Sequence, residues 1–139
     1  MHLAKRYPFS ASHRLHSPRI SDEQNARMFG KCNNPFGHGH NYTLEVAVKG
    51  PVDAGSGMLV SRKTLDSFVE RHVISKLDHA NLNCDVAELQ GVVPTTENLT
   101  LLVENWLKQA WGDELGARGV RLARIRIEET PRNSFEVRN

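Results

Sequence analysis

Several stretches of the chain alternate apolar and polar residues with a period of two, which is typical of β-strands with one buried face. Two of them, residues 3–13 and 38–49, lie near the start. Residues 120–129 predict a third strand and residues 134–138 a fourth, after a turn at 131–133. The rows of shared parity are Leu3, Tyr7, Phe9, Ala11 and His13; Tyr42, Leu44, Val46 and Val48; and Ala123, Ile125 and Ile127.

Between these pairs of strands the apolar period changes to that of an amphipathic helix. The pattern predicts one helix over residues 62–77, and a second that Thr95 or Thr96 caps and Gly112 ends. Their apolar faces are Leu65, Phe68, Val69, Val73 and Leu77 in the first, and Leu99, Leu102, Val103, Trp106, Leu107 and Ala110 in the second. A short helix is also expected after Ser21, which opens an S-x-x-Q capping box.

The order of the main elements is therefore strand, strand, helix, helix, strand, strand. Because the strands are grouped rather than alternating with helices, this order predicts a four-stranded antiparallel sheet with both helices on one face, an α+β fold. No internal repeat or linker divides residues 1–139, so a single domain is expected.

Composition and charge narrow the class of protein. With 39% apolar and 24% charged residues, the chain is typical of a soluble globular protein. The net charge of +2 is small and the basic residues are spread out, which argues against nucleic acid or a membrane surface as partner. No apolar run approaches the roughly 18 residues of a membrane helix, and the start lacks the apolar segment of a signal peptide. The two cysteines are expected to be reduced thiols in a cytoplasmic protein.

Three histidines are candidate metal ligands because they extend the buried rows of two strands. His38 and His40 stand two residues apart and His13 ends the first row, so pairing of the two strands would bring the three imidazoles together. Three histidines suit Zn²⁺ and leave its fourth position open for water or substrate, as in catalytic sites. The competing interpretation is a set of hydrogen-bonded core histidines. No metal-binding role is predicted for three other histidines, because they have the wrong parity or lack partners: His2, His16 and His72.

Cys32 stands shortly before the strand histidines and directly after Lys31. A neighbouring cation or metal would lower the pKa of its thiol from about 8.5, so Cys32 could be a metal ligand, a nucleophile or a general base. The alternative is a small buried apolar residue, which is the interpretation for Cys84. The spacing C-x5-H-x-H differs from those of zinc fingers, so a structural finger is not expected.

Acidic residues offer further candidates. Asp78 precedes His79 at the expected end of the first helix, where the carboxylate could hold the imidazole tautomer for proton transfer; a polar helix end is the alternative. Glu129, unlike Glu128, shares the face of its strand's apolar row, where a carboxylate needs a donor such as the N–H groups of a ligand or an internal partner. Polar groups at the start of the second helix, which capping also explains, are Thr95, Thr96 and Glu97.

Five segments together resemble the 6-pyruvoyl-tetrahydropterin synthase family and its relatives that make 6-carboxytetrahydropterin. They are FSASHRLH at 9–16, FGKCNNPFGHGHNY at 29–42, LDHANLN at 77–83, PTTEN at 94–98 and IEET at 127–130. The segments follow the family's order and spacing over most of the chain. The residues that the resemblance implies are Zn²⁺ ligands His13, His38 and His40, catalytic residues Cys32, Asp78 and His79, and pterin-site residues Glu129, Thr95, Thr96 and Glu97.

The same resemblance implies the tunnelling fold, or T-fold, in which three sheets join into a barrel and two trimers stack into a homohexamer with active sites between subunits. It implies elimination of triphosphate from the small molecule 7,8-dihydroneopterin triphosphate, with an internal redox tautomerisation to 6-pyruvoyl-tetrahydropterin and no nicotinamide. Zn²⁺ would acidify a C–H bond of the substrate. Cys32 would be the general base, and His79, oriented by Asp78, would move the other protons.

Within the family, the interval between Cys32 and His38 bears on the product. Five residues, NNPFG, separate the two, as in the pyruvoyl-forming enzymes of animals, whereas carboxytetrahydropterin synthases of queuosine biosynthesis typically have a shorter interval. Members with glutamate in place of the cysteine cleave the side chain differently. Pyruvoyl formation is therefore preferred over carboxy formation. The alternative from another class is a non-catalytic zinc- or pterin-binding protein, which would need none of Cys32, Asp78 and His79.

Overall fold

Five strands form the sheet of the computed structural model, which describes residues 1–139. They are β1 (His2–His13), β2 (His38–Lys49), β3 (Ala80–Asn81), β4 (Arg121–Thr130) and β5 (Asn133–Arg138). Their order across the sheet is β3-β1-β2-β4-β5. The pairs β1–β2, β2–β4 and β4–β5 are antiparallel. The four predicted strands are therefore confirmed, with bounds that shift by at most one residue.

The prediction of a purely antiparallel, four-stranded sheet is wrong in one respect, because β3 adds a fifth strand parallel to β1. β3 pairs with β1 only at Ala11 and Ser12. The chain reaches this edge directly after its second helical segment, and the His79 amide donates to the Ser10 carbonyl oxygen at 2.6 Å. A two-residue pairing of this kind depends on where the helix end lies in three dimensions, so it leaves no periodic signal in the sequence.

Four α-helices accompany the sheet, and their positions follow the predicted periods closely. They are α1 (Asp22–Phe29), α2 (Arg62–Val69), α3 (Ser75–Leu77) and α4 (Thr96–Glu114). The helix predicted over residues 62–77 is continuous, although Glu70–Ile74 between α2 and α3 is π-helical. None of the helices combines the length and the apolarity that crossing a membrane requires.

The helix ends largely follow the predicted capping chemistry. Ser21 forms the expected capping box with Gln24 at the start of α1. Thr95 caps α4, since its hydroxyl accepts from the amide of the third helical residue at 3.2 Å. The prediction that Gly112 ends α4 is wrong by two residues, because the buried side chain of Leu115 holds the last turn against the core.

The core lies between one face of the sheet and the helices α2 and α4. Buried residues of the predicted strand rows are Phe9, Ala11, Tyr42, Leu44, Val46, Val48, Ile125 and Ile127. The helices contribute Leu65, Phe68, Val69, Val73, Leu77, Leu99, Val103, Trp106 and Leu107. Both helices therefore cover the face of the sheet that parity predicted.

A bulge changes the predicted row of β4. Opposite Ala47 and Val48 the register of β4 moves from Arg124 to Leu122, so Ala123 is passed over. Leu122 consequently joins the buried row, and Ala123 is only half-buried. One extra residue reverses the facing of every residue before it, which is why alternation alone misplaced Ala123.

The opposite face of the sheet carries a network of ion pairs. Glu45 points away from the helices and is nevertheless buried. Its carboxylate accepts a hydrogen bond from Nε of Arg6 at 3.0 Å and also pairs with Arg124. Arg124 in turn reaches Glu136 at 3.5 Å. This face is therefore charged, in contrast to the apolar face beneath the helices.

Candidate active site

The antiparallel register of β1 and β2 brings the three candidate histidines together. His13 lies opposite His38, and Ala11 lies opposite His40. The ring centroid of His13 is 5.1 Å from each of the other two rings, which are 4.5 Å apart. The juxtaposition that parity predicted is therefore present at one end of the sheet.

The nitrogen atoms of these rings distinguish a metal site from a set of satisfied core histidines. Nδ1 of His13 lies 2.9 Å from the carbonyl oxygen of Pro94, which favours the tautomer that donates from Nδ1 and leaves a lone pair on Nε2. The Nε2 atoms of His13, His38 and His40 are all buried and have no hydrogen-bond partner. Burial lowers the pKa of His13 and of His40 and so favours neutral imidazole, the form that binds metals.

Cys32 joins this group from the short 3₁₀ turn Gly30–Asn33. Its Sγ and one nitrogen atom of each histidine all lie within 4.8 Å of one another. The carbonyl oxygen of Cys32 accepts from the Leu15 amide at 2.7 Å, which ties the turn to the chain just beyond β1. Three histidines and one thiol are a donor set that fits a metal ion such as Zn²⁺.

The surroundings of Cys32 differ from the expected activation by Lys31. Burial and, next, the charge of Glu129 raise the pKa of the Cys32 thiol in the metal-free chain, and Lys31 does not offset them. A bound cation is then the group that would favour the thiolate. The other cysteine, Cys84, is a free thiol that is exposed, so its prediction as a buried apolar residue is wrong.

Gly37 allows the loop between Cys32 and His38 to pass close to β1. Its φ of +73° lies in the left-handed region, and a Cβ built there would stand 2.9 Å from the carbonyl oxygen of His13. The Gly37 amide also donates to the carbonyl oxygen of Asn34 at 2.8 Å, which closes the turn. The loop therefore delivers His38 directly beside His13.

Glu129 reaches the same end of the sheet through a second bulge. The β4–β5 register shifts between Glu128 and Thr130, so Glu129 is passed over by the pairing. Its Oε1 accepts from the Thr96 hydroxyl at 2.8 Å and lies 3.7 Å from Nε2 of His40. The carboxylate that parity selected over Glu128 thus lies beside the histidine group, with its side chain 15% exposed.

The other two residues at the start of α4 have different positions. Thr95 uses its hydroxyl as the helix cap and makes no hydrogen bond to Glu129. Glu97 is exposed in the first turn of α4. Of the three polar residues predicted for this part of the site, the structure therefore places only Thr96 in contact with Glu129.

Asp78 and His79 are not brought to the histidine group within the chain. Nδ1 of His79 lies 3.2 Å from Oδ2 of Asp78, and Oδ1 of Asp78 accepts from the Ser10 amide at 2.9 Å. The His79 side chain is 83% exposed and lines an open depression of about 320 Å³ with Ser10 and Ser12. Both serines have the parity opposite to His13, and His40 is the one member of the histidine group that also borders this depression.

Tyr42 is a member of the site that sequence reasoning assigned only to the core. It follows His40 by two residues in the same buried row, and its ring centroid is 5.5 Å from that of His40. Burial and, next, the Glu129 carboxylate raise the pKa of Tyr42, so its hydroxyl is protonated. The signal available in the sequence was the shared parity of a hydroxyl-bearing side chain with the strand histidines.

Together, the fold and the site define a class of protein. An α+β domain carries three histidines and a thiol that could hold a metal ion, with a carboxylate beside them, at one end of its sheet. The family model described as 6-pyruvoyl tetrahydropterin synthase matches residues 2–139. The chain belongs to this family and is an enzyme, a lyase of the 6-pyruvoyl tetrahydropterin synthase type.

Individual relatives agree with this assignment. The chain is 43% identical over 137 residues to 6-pyruvoyl tetrahydrobiopterin synthase of Drosophila melanogaster, covering 98% of this chain and 78% of that protein. The solved structure of Caenorhabditis elegans 6-pyruvoyl tetrahydropterin synthase superposes with a TM-score of 0.87 at 37% identity, covering 100% of this chain and 95% of that one. A putative 6-carboxy-5,6,7,8-tetrahydropterin synthase of Archaeoglobus fulgidus is 31% identical over 73% of this chain and 75% of its own length.

Proposed function

We propose that this enzyme converts 7,8-dihydroneopterin triphosphate into 6-pyruvoyl-tetrahydropterin, with Zn²⁺ held by His13, His38 and His40. The observation that carries the proposal is the convergence of three histidines with the Cys32 thiol, with one ligand atom of each within 4.8 Å of the others. The Nε2 atoms of these histidines are buried and have no hydrogen-bond partner. When bound, Zn²⁺ would supply a Lewis acid that polarises the side-chain hydroxyls of the substrate and acidifies the adjacent C–H bond.

Side chains of the protein bind the substrate and transfer its protons. The Glu129 carboxylate receives N–H groups of the pterin ring, and the Thr96 hydroxyl holds its Oε1 in place. The Cys32 thiolate removes a proton from the substrate side chain, and the electron pair released passes into the pterin ring. Expulsion of triphosphate and transfer of the remaining protons leave a diketone side chain on a reduced ring, so no external oxidant or reductant is consumed.

His79, oriented by Asp78, moves these remaining protons from a neighbouring copy of the chain. Support for this comes from the exposure of His79 and from its position outside the group formed by Cys32 and the three histidines. A pair that is ordered by Ser10 yet points into solvent is suited to complete a site on another subunit.

The assembly proposed is the T-fold barrel of three sheets, doubled into a homohexamer. Beyond its short pairing with β3, the outer edge of β1 is open. β5 is the other edge of the sheet. Joining β1 of one chain to β5 of the next would remove both edges, and the charged face around Glu45 and Arg124 would line a polar tunnel.

Mixing two inactive variants tests the shared site. Neither His38→Ala nor His79→Ala should release triphosphate alone, whereas dissociation and joint reassembly should restore about a quarter of wild-type activity, because random mixing completes that share of sites. The matched control is His38→Ala mixed with Cys32→Ala, which should recover nothing because both residues belong to the same half-site. Recovery in the control, or none in the first mixture, would contradict the arrangement.

The product provides the direct test of the proposed function. Zinc-loaded protein is incubated with 7,8-dihydroneopterin triphosphate, triphosphate release is followed, and the pterin is identified by mass spectrometry. The expected product is 6-pyruvoyl-tetrahydropterin. Absence of triphosphate release from the wild-type protein would overturn the proposal and favour a non-catalytic zinc- or pterin-binding protein.

The second candidate function is 6-carboxy-5,6,7,8-tetrahydropterin synthesis, as in queuosine biosynthesis, and the same mass spectrum separates it. The lower identity to the archaeal carboxy-forming relative, 31% against 43% for the Drosophila protein, and the five residues between Cys32 and His38 favour the pyruvoyl product. We also propose a cytoplasmic location, supported by two cysteines that are both free thiols.

A further inference from the structure

The ring of Tyr42 is held in one place by its neighbours. It stacks on Phe9 with centroids 4.9 Å apart and planes 10° from parallel. It also meets the rings of His40 and His13 at steep angles, at centroid distances of 5.5 and 6.5 Å. Because the side chain is 1% exposed and packed on these sides, the position of its hydroxyl is fixed by the core.

The hydroxyl of Tyr42 is buried and makes no hydrogen bond of normal length, although the Thr96 hydroxyl lies near enough to lower its pKa. A buried hydroxyl without a partner is destabilising, whereas phenylalanine would fill the same space without that penalty. The other buried side-chain nitrogen or oxygen atoms in this condition are the Nε2 atoms of His13, His38 and His40. All four atoms therefore belong to one site, and the proposed Zn²⁺ would account for the three nitrogens.

Glu129 has an unused carboxylate oxygen that suits the Tyr42 hydroxyl as an acceptor. Its Oε1 accepts from Thr96 at 2.8 Å, whereas its Oε2 accepts no hydrogen bond from the chain. Glu129 and Tyr42 both contact His40, through Oε1 at 3.7 Å and through the ring at 5.5 Å respectively. After burial, the charge of Glu129 is the next cause that raises the pKa of Tyr42, which shows that the carboxylate lies near the hydroxyl. The Glu129 side chain begins at a bulge and not in a regular pair.

Resting on the proposed function, we propose that Tyr42 is a positioning residue for Glu129. In the ligand-bound enzyme the Tyr42 hydroxyl donates to the Glu129 carboxylate and fixes the orientation in which that carboxylate receives the N–H groups of the pterin. Thr96 and Tyr42 then hold the carboxylate from two sides, and the ligand takes the remaining lone pairs.

The two tyrosines of the chain provide a matched pair of variants. Tyr42→Phe in the zinc-loaded protein should bind neopterin, an unreactive pterin without triphosphate, about tenfold more weakly, because a hydrogen bond to a charged acceptor is lost. Its melting temperature without ligand should be unchanged or higher. Tyr7→Phe removes a hydroxyl that donates to Asp66 at 2.8 Å, so it should bind neopterin normally and melt at a lower temperature.

A double variant shows whether Tyr42 acts through Glu129. Tyr42→Phe added to Glu129→Ala should weaken neopterin binding no further than Glu129→Ala alone, since the hydroxyl then has no acceptor to orient. Additive losses would overturn the inference, and so would wild-type affinity in Tyr42→Phe. Failure of the proposed function is a separate result, because it appears as absent triphosphate release from the wild-type protein. A wild-type protein that binds no neopterin would overturn the role of Tyr42 as well.

Discussion

Zinc content is expected to fall from about one ion per chain to background when His38 is replaced by alanine, because two histidine ligands hold the ion too weakly. Even the loss of an outer hydrogen-bond partner weakens metal sites by about 10–100-fold, so loss of a ligand should exceed that range. Triphosphate release should disappear with the metal. Elemental analysis after dialysis and titration calorimetry with Zn²⁺ measure the two quantities.

His2→Ala is the matched control for this substitution. His2 begins β1 at the far end of the strand from His13 and is exposed, so its replacement should leave zinc content and activity unchanged. Far-ultraviolet circular dichroism of His38→Ala establishes that the fold persists. Full zinc content in a folded His38→Ala protein would refute the proposed ligand set.

The second large effect is expected for Cys32→Ala, whose turnover should fall by about three orders of magnitude while zinc is retained. General bases contribute roughly 10²–10⁴-fold to rate, and no other thiol lies at the site. Neopterin binding should persist, because Glu129 and the histidines are untouched. Single-turnover measurement of triphosphate release and metal analysis of the same sample check both parts.

Cys84→Ala makes the same chemical change at an exposed position outside the histidine group and should be neutral. The measurements on Cys32→Ala also separate its two geometrically available roles. Loss of zinc together with turnover would identify Cys32 as a fourth ligand rather than the base. Wild-type turnover would exclude both roles.

The strand periodicity was sufficient to predict the centre of this site. A period of two places His38 and His40 on one face, and antiparallel pairing of two consecutive strands can then bring His13 to the same end. The same reasoning selected Glu129 over Glu128. These predictions succeeded because parity along a regular strand is a local property of the sequence.

The features that escaped prediction depend on packing between distant segments. The bulge at Ala123 and the π-helical turn Glu70–Ile74 each insert one irregularity into a regular pattern, and β3 forms only where a helix end meets the edge of β1. The sequence likewise could not show that the Tyr42 hydroxyl lacks a hydrogen bond, because that depends on every side chain packed around it. The expectation that Cys84 is buried relied on the average behaviour of cysteines, and a polar surface loop overrides it.

The outward-facing His79 has a consequence for how the activity depends on the amount of protein. A single chain contains the complete group of histidines and the thiol, whereas Asp78 and His79, the pair proposed to transfer protons, lie outside that group. Each chain alone would therefore be able to bind the metal, whereas turnover would require that chains assemble. At high dilution this protein would sequester zinc without making pterin, and specific activity would rise with concentration until every chain had found its neighbours.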